Sequence, residues 1–132
     1  MSSLFQQLSC IELYVSDLHD GIRYYRDFLG LKLLWRSETA AGLGMKDGDA
    51  EIMLQTEREL MSVDFKVGSV IDAIKRIRFS GGTVMRRPFD TPTGMCAIVS
   101  DCWENTYAIV DTSKGRYVTD ENGTVLGVSN RQ

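Results

Sequence analysis

An internal repeat constrains the fold of this chain more than any other feature of its sequence. The segment from Leu8 to Leu33 returns 52 residues later, from Leu60 to Met85, without a gap. Each copy alternates apolar and polar residues with a period of two, changes to apolar residues at helical spacing, reaches a glycine and alternates again. This order predicts a strand, a helix and a strand in each copy.

The two copies keep the same class of residue at corresponding positions. The corresponding pairs are Ile11 and Val63, Leu13 and Phe65, Val15 and Val67, Leu18 and Val70, Ile22 and Ile74, and Gly30 and Gly82. The strands predicted after the two helices are Leu31–Ser37, Ala41–Met45 and Ala50–Thr56, then Thr83–Arg87, Met95–Ser100 and Thr106–Asp111. We therefore predict an α+β fold of two βαβββ modules in tandem.

These modules define the expected organisation of the chain. We predict one domain over residues 1–132, with module one at about residues 8–56, module two at about 60–112 and a C-terminal tail at 113–132. For the tail, the sequence favours either a small hairpin that turns at Asn122 and Gly123 or a disordered segment.

Composition excludes several classes of protein. A content of 43% hydrophobic and 25% charged residues is typical of a globular domain. The net charge of -3 gives no basic surface for nucleic acid. No apolar run is long enough to span a membrane, and the N-terminus lacks the regions of a signal peptide. The three cysteines are odd in number and have no metal-type spacing, so we expect a cytoplasmic protein with reduced thiols.

The strand alternation separates two faces of each predicted sheet. One face is apolar and is expected to pack on the helix, whereas the other is half polar. If the two sheets curl toward each other, the second faces line a shared cleft. The residues expected there are Cys10, Glu12, Tyr14, Glu51, Met53 and Gln55 from module one, and Ser62, Asp64, Lys66, Thr106, Ala108 and Val110 from module two.

The run VSDLHDGIRYYRDFLGLKLLW, residues 15–35, resembles the opening of the vicinal oxygen chelate superfamily. That superfamily includes glyoxalase I, extradiol dioxygenases, methylmalonyl-CoA epimerases, and the fosfomycin- and bleomycin-resistance proteins. The resemblance covers residues 8 to about 112. It implies two βαβββ modules that form a U-shaped cleft, usually completed by dimerisation, so a homodimer is expected.

The resemblance also implies four metal-ligand positions, on the first and last strands of each module, which usually carry His, Gln or Glu. Here they carry Cys10, Met53, Ser62 and Ala108. A catalytic divalent site needs at least three converging donors, which this set does not supply. The single histidine, His19, is expected on the solvent side of the first helix. We therefore expect no metal and no other cofactor.

Three carboxylates on the polar faces, Glu12, Glu51 and Asp64, leave alternatives open. They suit a displaced magnesium or manganese site, or acid-base catalysis if two of them lie close together. In a third interpretation they are solvated or pair across strands with Lys32, Arg36 or Lys66.

The residues favour ligand binding over catalysis. Tyr14, Trp35, Met45 and Met53 are expected to form an apolar and aromatic floor for a flat ligand, with a place in the structural core as the alternative for Trp35 and Met45. Cys10 is expected to be a buried small residue. We predict a metal-free protein without catalytic residues that binds a small organic molecule of cationic or aromatic character, resembling the bleomycin-resistance type of sequestering protein. The alternatives are a lyase, isomerase or dioxygenase with a displaced carboxylate metal site, and a dimeric interaction module with a filled cleft.

Overall fold

The computed structural model describes residues 2–130. The chain divides into two compact units. One contains Ser9–Ser62 and Tyr117–Gly127, and the other contains Val63–Arg116 together with residues 2–8 and 128–130. Each unit carries one predicted module. No helix in the described part of the chain is long and apolar enough to cross a membrane.

Module one is a four-stranded sheet with a helix between its first two strands. Its elements are β1 (Gln7–Tyr14), α1 (Leu18–Ile22), β2 (Lys32–Arg36), β3 (Ala40–Gly44) and β4 (Glu51–Gln55). The strand order is β2-β3-β4-β1, in which β1 runs parallel to β4 and the other neighbours are antiparallel. Beyond Ile22, α1 continues as a π-helical segment at Arg23–Phe28.

Module two repeats this plan. Its elements are β5 (Ser62–Lys66), α2 (Val70–Phe79), β6 (Thr83–Asp90), β7 (Met95–Ser100) and β8 (Thr106–Val110). The strand order is β6-β7-β8-β5, and β5 runs parallel to β8. The predicted α+β class with two βαβββ modules is confirmed.

One strand extends further than predicted. β6 was expected to end at Arg87, before the proline-containing loop, but it continues through Pro88 to Asp90. A proline has no N–H for the ladder, and it is tolerated here because the pairing of β6 with β7 is irregular between Arg86 and Phe89.

Each helix packs on one face of its own sheet. In module one, Leu18 and Ile22 of α1 are buried against the sheet residues Ala41, Leu43 and Leu54. The buried core of module two consists of Val67, Val70, Ala73, Ile74, Ile77, Ala97, Val99 and Ile109. In both modules the apolar face of the strands packs on the helix, as predicted.

The two helices begin at equivalent positions but end one residue out of register. Asp17 and Ser69, 52 residues apart, are the N-caps, and each side chain accepts a hydrogen bond from the backbone N–H three residues later. The left-handed glycines that follow the helices, Gly30 at φ 82° and Gly81 at φ 96°, are 51 residues apart. The first helix therefore contains one extra residue.

The π-helical segment accommodates that residue. The Leu29 N–H donates to the Tyr24 carbonyl at 3.0 Å, which is an i to i−5 bond. The predicted match of Gly30 with Gly82 is thus wrong by one position. Phe28 and Leu29, at the end of this segment, are 65% and 52% exposed.

The tail forms the predicted hairpin. Its strands are β9 (Arg116–Thr119) and β10 (Val125–Ser129). The turn contains Gly123 at φ 83°, and the Asp120 carboxylate accepts hydrogen bonds from the Asn122 and Thr124 N–H groups. The hairpin touches module one where the Arg36 N–H donates to the Gly123 carbonyl at 2.8 Å.

Candidate functional site

The site residues predicted in module one share the sheet face turned away from α1, which we call the far face. Residues paired directly across adjacent strands point to the same face. One cross-strand row consists of Trp35, Gly42, Met53 and Glu12. The rows on either side of it contain Gly44, Glu51 and Cys10, and Ala40, Gln55 and Tyr14. The structure thus brings these predicted residues together.

The site residues predicted in module two also share a face. Asp64 pairs with Ala108, and both are buried. Ser62 precedes Asp64 by two residues on β5 and so points to the same side of the sheet. A cleft shared by the two modules stays a prediction.

Glu12 is held by an arginine from the loop between the modules. The Glu12 residue is 3% exposed, and its carboxylate accepts a hydrogen bond from Nη2 of Arg58 in an ion pair. The basic partners expected for the carboxylates were Lys32, Arg36 and Lys66. The structure gives Glu12 a partner that this interpretation did not include, because the loop folds back over β1 and brings in a residue 46 positions away.

Gln55 fixes this loop. Its Oε1 accepts hydrogen bonds from the N–H groups of Glu57 and Arg58 at 2.9 and 2.8 Å, and its Nε2 donates to the Arg58 carbonyl at 2.6 Å. Gln55 is itself buried. The Gln55 side chain was predicted to line a ligand site. In the structure it holds the backbone of Arg58 in place, and so helps to position the guanidinium that pairs with Glu12.

Trp35 lies across the neighbouring strand. A bulge in β2 between Leu33 and Trp35 sets the direction of the indole, whose Nε1 donates to Oε1 of Glu51 at 2.9 Å. A Cβ built on Gly42 would lie 2.0 Å from that nitrogen. Only a glycine at this position of β3 leaves room for the indole and its carboxylate partner.

Tyr117 of β9 covers the indole, and it was not among the residues predicted for the site. The centroids of the Tyr117 and Trp35 rings are 4.8 Å apart, with 39° between their planes. Burial, reinforced by the Glu51 charge, raises the pKa of the Tyr117 phenol. The sequence does show an aromatic residue at the start of a possible hairpin strand in the tail. The tail lies outside the repeat, however, so the repeat does not predict which strand or residue of module one it contacts.

The residues at the four implied metal positions do not fit a divalent cation. Ala108 has no donor atom and Met53 offers only a thioether, which leaves Cys10 and Ser62. A displaced carboxylate site within module one is not supported either, because Glu12 is bonded to Arg58 and Glu51 to Trp35.

Residues 2–130 contain one trio of His, Cys, Asp or Glu side chains whose ligand atoms lie close together: Asp17, His19 and Asp20. All three are exposed, and the His19 side chain, at 80% exposure, confirms the predicted solvent position. Exposed acidic groups of this kind commonly hold no ion, so the trio is not counted as a site.

The sequence model of the Glyoxalase/Bleomycin resistance protein/Dioxygenase superfamily matches residues 7–126. The chain belongs to that superfamily. No curated protein matches its sequence. Solved structures of superfamily-like fold match it at low identity, and this likeness shows the fold alone.

Three of these structures illustrate the range. An NAD-dependent benzaldehyde dehydrogenase from Legionella pneumophila is 19% identical with a TM-score of 0.66, covering 79% of this chain and 98% of that chain. A methylmalonyl-CoA epimerase from Mycobacterium tuberculosis is 19% identical with a TM-score of 0.68, covering 86% and 92%. A methylmalonyl-CoA epimerase in complex with methylmalonyl-CoA and NH4+ is 16% identical with a TM-score of 0.67, covering 84% and 96%.

Proposed function

We propose that this superfamily member binds a small organic acid on the far face of module one, without a divalent metal at the four superfamily positions. The observation that carries the proposal is the placement of the Arg58 guanidinium. A guanidinium has five N–H donors. Among the side chains of residues 2–130, Glu12 is the one acceptor that Arg58 reaches, and Arg58 is 37% exposed. The remaining N–H groups of a guanidinium held in this way suit a carboxylate or carbonyl oxygen of a ligand.

The rest of the far face supplies contact area. Met53 neighbours Glu12 in the cross-strand row, and the half-buried Tyr14 lies in the next row. A flexible thioether and an aromatic ring beside one fixed charged group are typical of small-molecule sites, where apolar surface binds the carbon skeleton and few polar groups set its orientation.

The donors of Arg58 that Glu12 does not use favour an acid over the cationic ligand expected from three carboxylates. Glu12 and Glu51 are both engaged within the chain, whereas Arg58 has donors to spare. The epimerase complex offers a parallel: methylmalonyl-CoA, bound to that protein, carries a carboxylate. We propose binding without turnover, as in the sequestering proteins of the superfamily.

The test is a calorimetric screen of short-chain and aromatic carboxylic acids, each compared with its neutral amide, in buffer containing a chelator. We expect at least one acid to bind, and Arg58→Gln to weaken it by about 10- to 100-fold, the usual worth of a hydrogen bond to a charged group. Lys46→Gln, in the exposed turn between β3 and β4, removes the same charge and is expected to leave the affinity unchanged.

Equal affinity of the parent and Arg58→Gln for every acid would refute the proposed site. Conversion of the bound acid, followed by NMR in the same buffer, would instead favour the enzymatic alternative and remove the sequestering function.

A further inference from the structure

The hairpin places one of its own side chains on the aromatic part of the far face. The Tyr117 and Trp35 centroids, 4.8 Å apart, are at the distance of two rings in direct contact. No third ring fits between them. A ligand ring that uses the indole must therefore take the place of Tyr117.

The surface beneath Tyr117 has a defined chemistry. The indole is fixed by its hydrogen bond to Glu51 and lies flat because Gly42 has no side chain. Burial and, after it, the nearby Glu51 charge raise the pKa of the Tyr117 phenol. This part of the far face is a planar apolar floor beside a carboxylate, and Tyr117 covers it with a ring that carries a hydroxyl group.

The hairpin is attached to module one by the Tyr117–Trp35 contact and by backbone pairing of Arg36 with Gly123 and Thr124, outside both buried core clusters. Neither core cluster of the described chain contains a residue of β9 or β10. Val118 and Leu126 are 42% and 67% exposed, so the hairpin buries little apolar surface. Elements with few buried contacts open at a low free-energy cost, which makes displacement of Tyr117 accessible to a ligand.

We infer that Tyr117 is an intramolecular occupant of an aromatic subsite formed by Trp35 and Glu51, and that a ligand with a planar ring bearing a hydrogen-bond donor displaces it. The inference rests on the proposed function, since this ring would belong to the acid that Arg58 binds. Trp35 and Glu12 stand at the two ends of one row, three strand spacings or roughly 14 Å apart along the sheet. A hydroxyaryl acid whose ring and carboxylate are joined by a long flexible chain matches that separation.

The test uses Trp35 as its own reporter. Trp103 is 79% exposed, and Trp103→Phe leaves Trp35 as the single tryptophan of the chain. In that background, p-cresol, which reproduces the tyrosine side chain, is titrated while Trp35 emission is followed. We expect Tyr117→Ala to bind p-cresol about tenfold more tightly than the parent, because one aromatic contact no longer competes. Toluene, which lacks the donor, is expected to bind more weakly.

Tyr24→Ala, which removes a half-exposed tyrosine from the helix of module one, is the matched control and should leave p-cresol affinity unchanged. If Tyr117→Ala unfolds, Tyr117→Leu keeps an apolar cover without a ring and should also bind p-cresol more tightly than the parent.

The outcomes separate this inference from the function on which it rests. Equal p-cresol affinity in the parent and the Tyr117 variants would overturn the inference, as would acids that need Arg58 but leave Trp35 emission unchanged. Tighter p-cresol binding in the Tyr117 variants, with no acid bound in any protein, would support the aromatic subsite and count against the acid site.

Discussion

Replacing Asp111 by alanine is expected to lower the free energy of unfolding by about 4 kcal/mol, because it leaves one buried and several partly buried donors without an acceptor, at about 1–3 kcal/mol for a fully buried donor. Asp111 is 4% exposed. Its two oxygens accept hydrogen bonds from the N–H groups of Val70 and Met95, both at 2.9 Å, and from the N–H and hydroxyl of Ser113. It thereby joins the start of α2, the start of β7 and the end of β8.

The contribution of Asp111 to the free energy of unfolding is expected to depend on pH. Burial alone would raise the pKa of its carboxyl, but the hydrogen bonds from Val70, Ser113 and Met95 outweigh burial and hold the pKa below its ordinary value. A carboxyl group whose pKa is lower in the folded than in the unfolded protein stabilises the fold. This stabilisation is complete at pH values above the unfolded-state pKa of about 3.9, and it is lost as the pH falls through the folded-state pKa. The difference in stability between the parent and Asp111→Asn should therefore shrink below about pH 4.

Urea denaturation of the parent and the Asp111 variants between pH 3 and pH 7 measures both effects. Asp47→Asn removes an exposed acid from the turn after β3 and should change the midpoint little. A pH-independent difference for Asp111→Asn would show that the charged form of Asp111 does not hold these elements together.

Arg58→Gln is expected to destabilise the fold by about 2 kcal/mol, less than the loss of a wholly buried ion pair because Arg58 is partly exposed. The physical reason is that the buried Glu12 carboxylate loses its guanidinium partner. Glu12→Gln should cost less, since a neutral amide needs no countercharge.

A double-mutant cycle isolates this contact. The variant Glu12→Gln with Arg58→Gln should be less destabilised than the sum of the single variants, by about 1 kcal/mol. Additive effects would mean that the ion pair does not couple the two residues, and the support for an oriented Arg58 would be lost. The expected loss still leaves a folded protein, given the usual stability of about 5–15 kcal/mol, so ligand binding to Arg58→Gln remains measurable.

The fold was predictable because its signals are local and occur twice. Periods of two and 3.6 residues mark strands and helices wherever they stand in a chain, and the 52-residue repeat supplied the tandem arrangement. The π-helical turn has no such signal, since a single inserted residue leaves the apolar pattern of the helix nearly intact. The backbone at Glu104 could not be predicted either. Its φ of 68° lies in the left-handed region, which residues other than glycine seldom adopt.

The sequence predicted which residues share the face of the candidate site, but not which side chains they contact. The alternation along the strands placed Glu12 and Glu51 on one face. It left the side of Trp35 open, and the bulge in β2 between Leu33 and Trp35 decides it. The partner of Glu12 depends on how the loop between the modules folds, and the cover of Trp35 depends on where the tail docks. Both are tertiary contacts between residues far apart in the chain, and neither is encoded in a local pattern.

The measurement that tests the account most directly is the metal content of protein purified without a histidine tag or chelator and then incubated with manganese, nickel, iron or zinc. The donor set of Cys10, Met53, Ser62 and Ala108 predicts that no metal is retained after gel filtration, with or without a bound acid. A stoichiometric metal that is retained by the parent and lost in Glu12→Gln would contradict the account, because it would place a cation where we assign the Glu12 and Arg58 pair.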